Sequence, residues 1–107
     1  MQWDKNYGIR TALVPTDLSV ANGAIAVPAL TDYKPIIRRI WGKATGNIVI
    51  NRFNGTANTA LTQDIVGSNN LDIPGLELFG NAGDSIRITG TDTASELHVQ
   101  FAYTKNN

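Results

Sequence analysis

Turn-forming residues interrupt this chain about every ten positions, and the apolar runs between them read as short β-strands. No segment keeps apolar residues at i, i+3, i+4 and i+7 through several turns, the spacing that a helix buried along one side requires. The runs fall at 9–14, 24–27, 35–41, 47–53, 61–66, 71–73, 76–79, 85–89 and 96–103. Pro15, Pro28 and the pair Pro74-Gly75 each close one of them, as expected of a residue that cannot donate to a sheet ladder. The last run, "ELHVQFAY", alternates most cleanly, with Leu97, Val99, Phe101 and Tyr103 on one side and Glu96, His98 and Gln100 on the other. The run at 61–66 alternates only weakly, and residues 15–22 have room for one helical turn. The expectation is an all-β, single-domain antiparallel β-sandwich or jelly roll of about eight short strands over residues 1–107. Short tails are expected at 1–8 and 104–107.

The stretch "PIIRRIWGKATGNIVINRF", residues 35–53, reads as the strongest hairpin, with "GKATG" as its turn and glycines at 42 and 46 offering positive φ. Simple alternation puts Arg38 with Ile36 and Ile40, and Arg39 with Ile37 and Trp41. Both faces of the first strand then carry apolar bulk, and such a strand is normally covered on both sides. A loop, a tail or another subunit would provide the second cover. One arginine of the pair is expected at an interface and the other at the sheet rim, unless a β-bulge puts both outside. A buried Trp41 would cost about 3–5 kcal/mol to truncate.

Composition narrows the function classes. Net charge is zero, with nine Lys/Arg and nine Asp/Glu, whereas a general nucleic-acid or acidic-membrane binder is basic. Residues 1–53 hold seven of the basic residues against three acids, and residues 54–107 hold two against six. Cross-strand pairing inside the fold accounts for that split, as would two oppositely charged surfaces meeting between subunits. The absence of cysteine excludes disulfides, thiolate catalysis and cysteine-held zinc. No apolar leader and no run of membrane-spanning length are visible, so synthesis in the cytoplasm and no membrane partner are expected. "NGT" at 54–56 fits the N-glycosylation pattern and, without a leader, reads as a turn.

No catalytic constellation emerges, and an enzyme is not expected. His98 is the only histidine, and its neighbours Ser95 and Glu96 do not form a nucleophile elbow. Most of the acids, Asp84 and Asp92 among them, sit where aspartate caps turns. No cofactor and no metal site is assigned, although Asn69, Asn70 and Asp72 could supply loop oxygens to calcium. The remaining constellation is basic and aromatic: Lys34, Arg38, Arg39, Lys43 and Arg52, interleaved with Tyr33, Trp41 and Phe53. It resembles a single-stranded nucleic-acid surface in type, but the acidic second half makes nucleic acid an unfavoured partner. The interface candidates are therefore Trp3, Tyr7, Arg38, Arg39, Trp41, Arg52 and Phe53. The first two are large rings in the expected N-terminal tail that would dock on the sandwich or on a partner.

The segment "NAGDSIRITGTDTASELHVQFAY" at 81–103, with "GNIVINRFNGT" at 46–56, resembles small virion proteins of tailed bacteriophages. In these a "GD-x-I-x-I-T" strand precedes a short loop and an alternating terminal strand. The resemblance implies a capsid decoration, or cement, protein. Such a protein is a homo-oligomer, with a trimer favoured, that sits on the capsid surface and clamps the major capsid protein. It carries no shared catalytic motif, so no site residue transfers. A carbohydrate- or receptor-binding β-sandwich of a phage tail or fibre is the alternative, with Trp41 and Trp3 as its candidate rings. A single-stranded nucleic-acid-binding barrel is the second alternative.

Overall fold

A computed structural model describes residues 10–13, 23–90 and 96–105 of the chain. The expected antiparallel sandwich is present. The described residues form β1 (Arg10–Leu13), β2 (Ala24–Val27), β3 (Tyr33–Lys43), β4 (Val49–Phe53), β5 (Asn58–Ala60), β6 (Leu71–Ile73), β7 (Leu78–Phe79), β8 (Ser85–Thr89) and β9 (Glu96–Lys105). One sheet has the order β1-β9-β3-β6, with β7 also paired to β3; the other has the order β2-β8-β4-β5. We call them the five-stranded and the four-stranded sheet.

The pairing is nested. β1 pairs β9, β2 pairs β8, β3 pairs β6 and β4 pairs β5, all antiparallel. Leaving out the two-residue β7, the described strands pair as one long double ribbon doubled back at the β4–β5 turn and rolled into two facing sheets. That winding is a jelly roll.

Alternation along each strand fills the space between the sheets. Ile37, Ile40, Leu97, Val99, Phe101 and Tyr103 point inward from the five-stranded sheet, and Ala24, Val27, Ile48, Ile50, Ile86 and Ile88 meet them from the other. Most are fully buried, and each branched side chain hidden in this way contributes about 1.5–3 kcal/mol. The Tyr103 hydroxyl, at the edge of this core, donates to the Pro28 carbonyl oxygen at 2.6 Å, which gives its one polar atom a partner.

Four local expectations are corrected. β3 and β4 are not a hairpin: they lie in opposite sheets, and residues 44–47 carry the chain across the sandwich. In a rolled ribbon only the innermost turn joins paired neighbours, and here that turn is β4–β5. Residues 61–66 form no strand and contribute only a bridge between Ile65 and Ile48. Residues 54–60, which fall between the expected runs at 47–53 and 61–66, contain β5, and β9 runs to Lys105, past the start of the expected C-terminal tail. Gly42 does have positive φ, +123°, but it lies inside β3, where a Cβ would come within 2.2 Å of the Glu96 carbonyl oxygen.

Candidate interaction surface

A β-bulge decides which side chains of β3 leave the core. Ile37 pairs with Phe101 and Arg39 with Gln100, so Arg38 is an extra residue in the ladder between β3 and β9. The insertion reverses the parity of the strand. Ile37 and Ile40 both enter the core, while Ile36, Arg39 and Trp41 belong to the outer face. This corrects the faces read from simple alternation, which joined Ile36 to Ile40 and Arg39 to Ile37. Arg38 itself is partly buried, and its carbonyl oxygen accepts the Leu76 N–H at 2.8 Å.

The outer face of the five-stranded sheet has two ends. At one, Ile36 lies between Phe79 of β7 and Ala102 of β9, and Ile36 and Ala102 are fully buried. The second cover expected for β3 exists here. Both residues are hidden already in the single chain, so no other subunit is required at this end.

The other end is open. Arg39 meets Asp72 of β6 in a two-pronged pair, Nε to Oδ1 at 2.9 Å and Nη2 to Oδ2 at 3.0 Å. Their side chains are 41% and 51% exposed. The Arg39 guanidinium also lies 4.8 Å from the centre of the Trp41 ring. On the neighbouring strand His98, directly opposite Trp41 in register, stacks against it with centroids 5.5 Å apart and planes 15° from parallel. Lys43 pairs in register with Glu96 at the rim. Trp41 is partly buried rather than buried. Hydrogen bonds from Arg39 hold the Asp72 carboxyl below its usual range, and the same bonds raise Arg39 above its own. At this exposure the pair fixes two side chains in position more than it stabilises the fold.

The remaining candidates are dispersed. Arg52 and Phe53 belong to β4, in the four-stranded sheet, away from Arg39 and Trp41. Arg52 lies 3.6 Å from the buried Asp84, whose carboxylate also accepts the Asn81 N–H at 2.8 Å, the turn-capping use expected of it. Phe53 is only 8% exposed, and Arg87 covers its ring at 4.2 Å while donating to the Gly23 carbonyl at 3.4 Å and to Ser85 Oγ at 3.5 Å. Beside them the buried Asn51 amide donates to Thr89 Oγ1 at 3.0 Å and to the Val49 carbonyl at 3.1 Å. Trp3 and Tyr7 lie outside the described residues. The basic cluster therefore does not form one groove. Lys34, Arg38, Arg39 and Lys43 are on one sheet and Arg52 on the other, with Arg39 and Arg52 each held by an acid. Both of these pairs join a first-half cation to a second-half acid, so part of the charge asymmetry resolves as pairing within the fold.

Two residues of the open end were absent from the interface candidates. His98 read as a solvated or interface residue of the polar face, and Asp72 as one of three loop residues that could supply oxygens to calcium. The signal for both was alternation: Asp72 is the polar residue between Leu71 and Ile73, and His98 the one between Leu97 and Val99. What sequence lacked was the register that puts them beside β3. With both oxygens of Asp72 on Arg39, the calcium reading loses its carboxylate. Nearby, Thr45, Asn47, Ser68 and Asn69 line a shallow cleft of about 380 Å³ between the 44–47 and 67–69 loops.

Comparisons with protein-family models, with curated proteins and with solved structures find no match to this chain.

Proposed function

We propose that this chain is a non-enzymatic structural protein of a virion. In this reading it is a homo-oligomeric decoration or cement protein, a trimer in the favoured form, that rests on the major capsid protein and stabilises the shell. Jelly rolls occur among viral coat domains and lectins, which supports the reading by analogy of fold alone. The observation that carries it is the open end of the five-stranded sheet. A Trp ring on a strand paired on both sides, flanked by His98 and rimmed by charges of both signs, has the make-up of an interface anchor. In a closed trimer the open end of each copy would meet a different patch of its neighbour, head to tail around the ring. Size-exclusion chromatography with light scattering tests this. The expected mass is that of three 11.5 kDa chains, and a single-chain mass at micromolar concentration contradicts it.

The cleft between the 44–47 and 67–69 loops favours a second reading, a carbohydrate- or receptor-binding module. Its lining of amides and hydroxyls suits sugar hydroxyls. That reading expects a monomer that retains glycans on an array, with Asn47→Ala abolishing retention.

A further inference from the structure

The β4–β5 turn treats one asparagine unusually. The Asn54 side-chain oxygen accepts two backbone hydrogen bonds, from Thr56 N–H and from Ala57 N–H, each at 2.9 Å. Together they hold the side chain in an Asx turn. They also do to the Asn54 amide what an oxyanion hole does to a scissile carbonyl. Two fixed donors at this distance stabilise charge that develops on the oxygen when a nucleophile reaches the carbon. A nucleophile is available. The next residue is Gly55, whose nitrogen is unshielded by any side chain. Its φ is +96°, a Cβ built there meets nothing within 4 Å, and residues 54–57 are all exposed, so water and hydroxide reach the turn.

We propose that Asn54 is a modification site built into the fold, at which the folded turn promotes deamidation of its own asparagine. The Gly55 nitrogen gives up its proton and attacks Asn54 Cγ. The new C–N bond closes a succinimide, the Cγ–Nδ2 bond breaks, and the side-chain nitrogen leaves as ammonia with the proton it needs. Water then opens the ring at either carbonyl. One opening yields aspartate, which keeps the acceptor of the Asx turn and gives a neutral chain a negative charge. The other yields isoaspartate, which inserts a methylene into the main chain between Phe53 and Asn58, the pair that opens the β4–β5 ladder. Asn47 provides an internal control. Its side-chain oxygen has one longer contact, to Gly67 N–H at 3.4 Å, and the β-branched Ile48 follows it.

The test holds native protein and urea-unfolded protein at the same mildly alkaline pH and quantifies aspartate and isoaspartate at position 54 by peptide mass spectrometry. The native chain is expected to lose Asn54 several-fold faster than the unfolded chain, with Asn47 intact in the native protein. A native rate equal to or below the unfolded rate overturns the proposal. Thr56→Pro removes one donor. It is expected to slow conversion in the folded protein and leave the unfolded rate unchanged; an unchanged folded rate, or the same slowing in urea, also overturns it.

Discussion

Both outer faces of the sandwich set a guanidinium over an aromatic ring, yet the two arrangements do opposite things. On the four-stranded sheet Phe53 is nearly buried, and Arg87 above it is tied to the Gly23 carbonyl and Ser85. Asn51 beside them is also buried and bonded within its own sheet. The patch around Phe53 is closed on itself. On the five-stranded sheet Arg39 is tied to an acid that is itself half in water, and Trp41 is covered only in part. The same pair of groups stabilises the fold where the ring is buried, and presents a surface where it is not. The difference comes from one inserted residue. Without the bulge at Arg38, Trp41 and Arg39 would face the core, and Ile40 would lie on the outer face in their place.

The largest effect expected from breaking this contrast is at the closed face. Phe53→Ala should lower unfolding free energy by about 3–5 kcal/mol in a denaturant titration, since it empties a buried ring site beneath Arg87. Trp41→Ala should cost clearly less in the same assay, and an equal cost would remove the distinction between the faces. Next is Gly42→Ala, beneath the open end. The left-handed backbone alone costs roughly 1–3 kcal/mol, and the clash with the Glu96 carbonyl adds to it. This variant should also separate His98 from Trp41, seen as a change in the His98 ring resonances. The smallest is at the ion pair. The Asp72 carboxyl titrates lower in the folded chain than in the unfolded one, so the pair's contribution is present above the unfolded value of about 3.9 and is lost as pH falls through the folded value. The stability difference between the native sequence and Asp72→Asn should therefore be constant near neutrality and fade under acid. Carbon NMR should find the Asp72 midpoint below the ordinary range, and Arg39→Gln should bring it back up.

The strands were largely readable because their signals are local. The 24–27 and 85–89 runs coincide with β2 and β8, and the alternation at 96–103 identified the buried side of β9. The pairing of β3 with β9 and β6 was not readable. Its partners lie far along the chain, and the turn chemistry at 42–46 is the same whether a chain returns beside itself or crosses to another sheet. The bulge left a trace in the three-residue spacing of Ile37 and Ile40, but that spacing has no meaning until β9 fixes the register. β5 was hidden by polar residues, as suits a short exposed edge strand with little to bury. Asp72 and His98 shared that fate for a different reason: alternation assigns a residue to a face, and only tertiary register tells which strand stands beside it.

The central claim is that copies of this chain meet through the open end of the five-stranded sheet and not through the other face. Sedimentation velocity on two single variants tests it most directly. Trp41→Ser alters the open end, and Ile25→Ser alters an apolar residue 43% exposed on the four-stranded sheet. With folding of both checked by circular dichroism, the account predicts that Trp41→Ser sediments as a single chain while Ile25→Ser keeps the oligomer. An oligomer that survives Trp41→Ser, or one lost in Ile25→Ser alone, would contradict it.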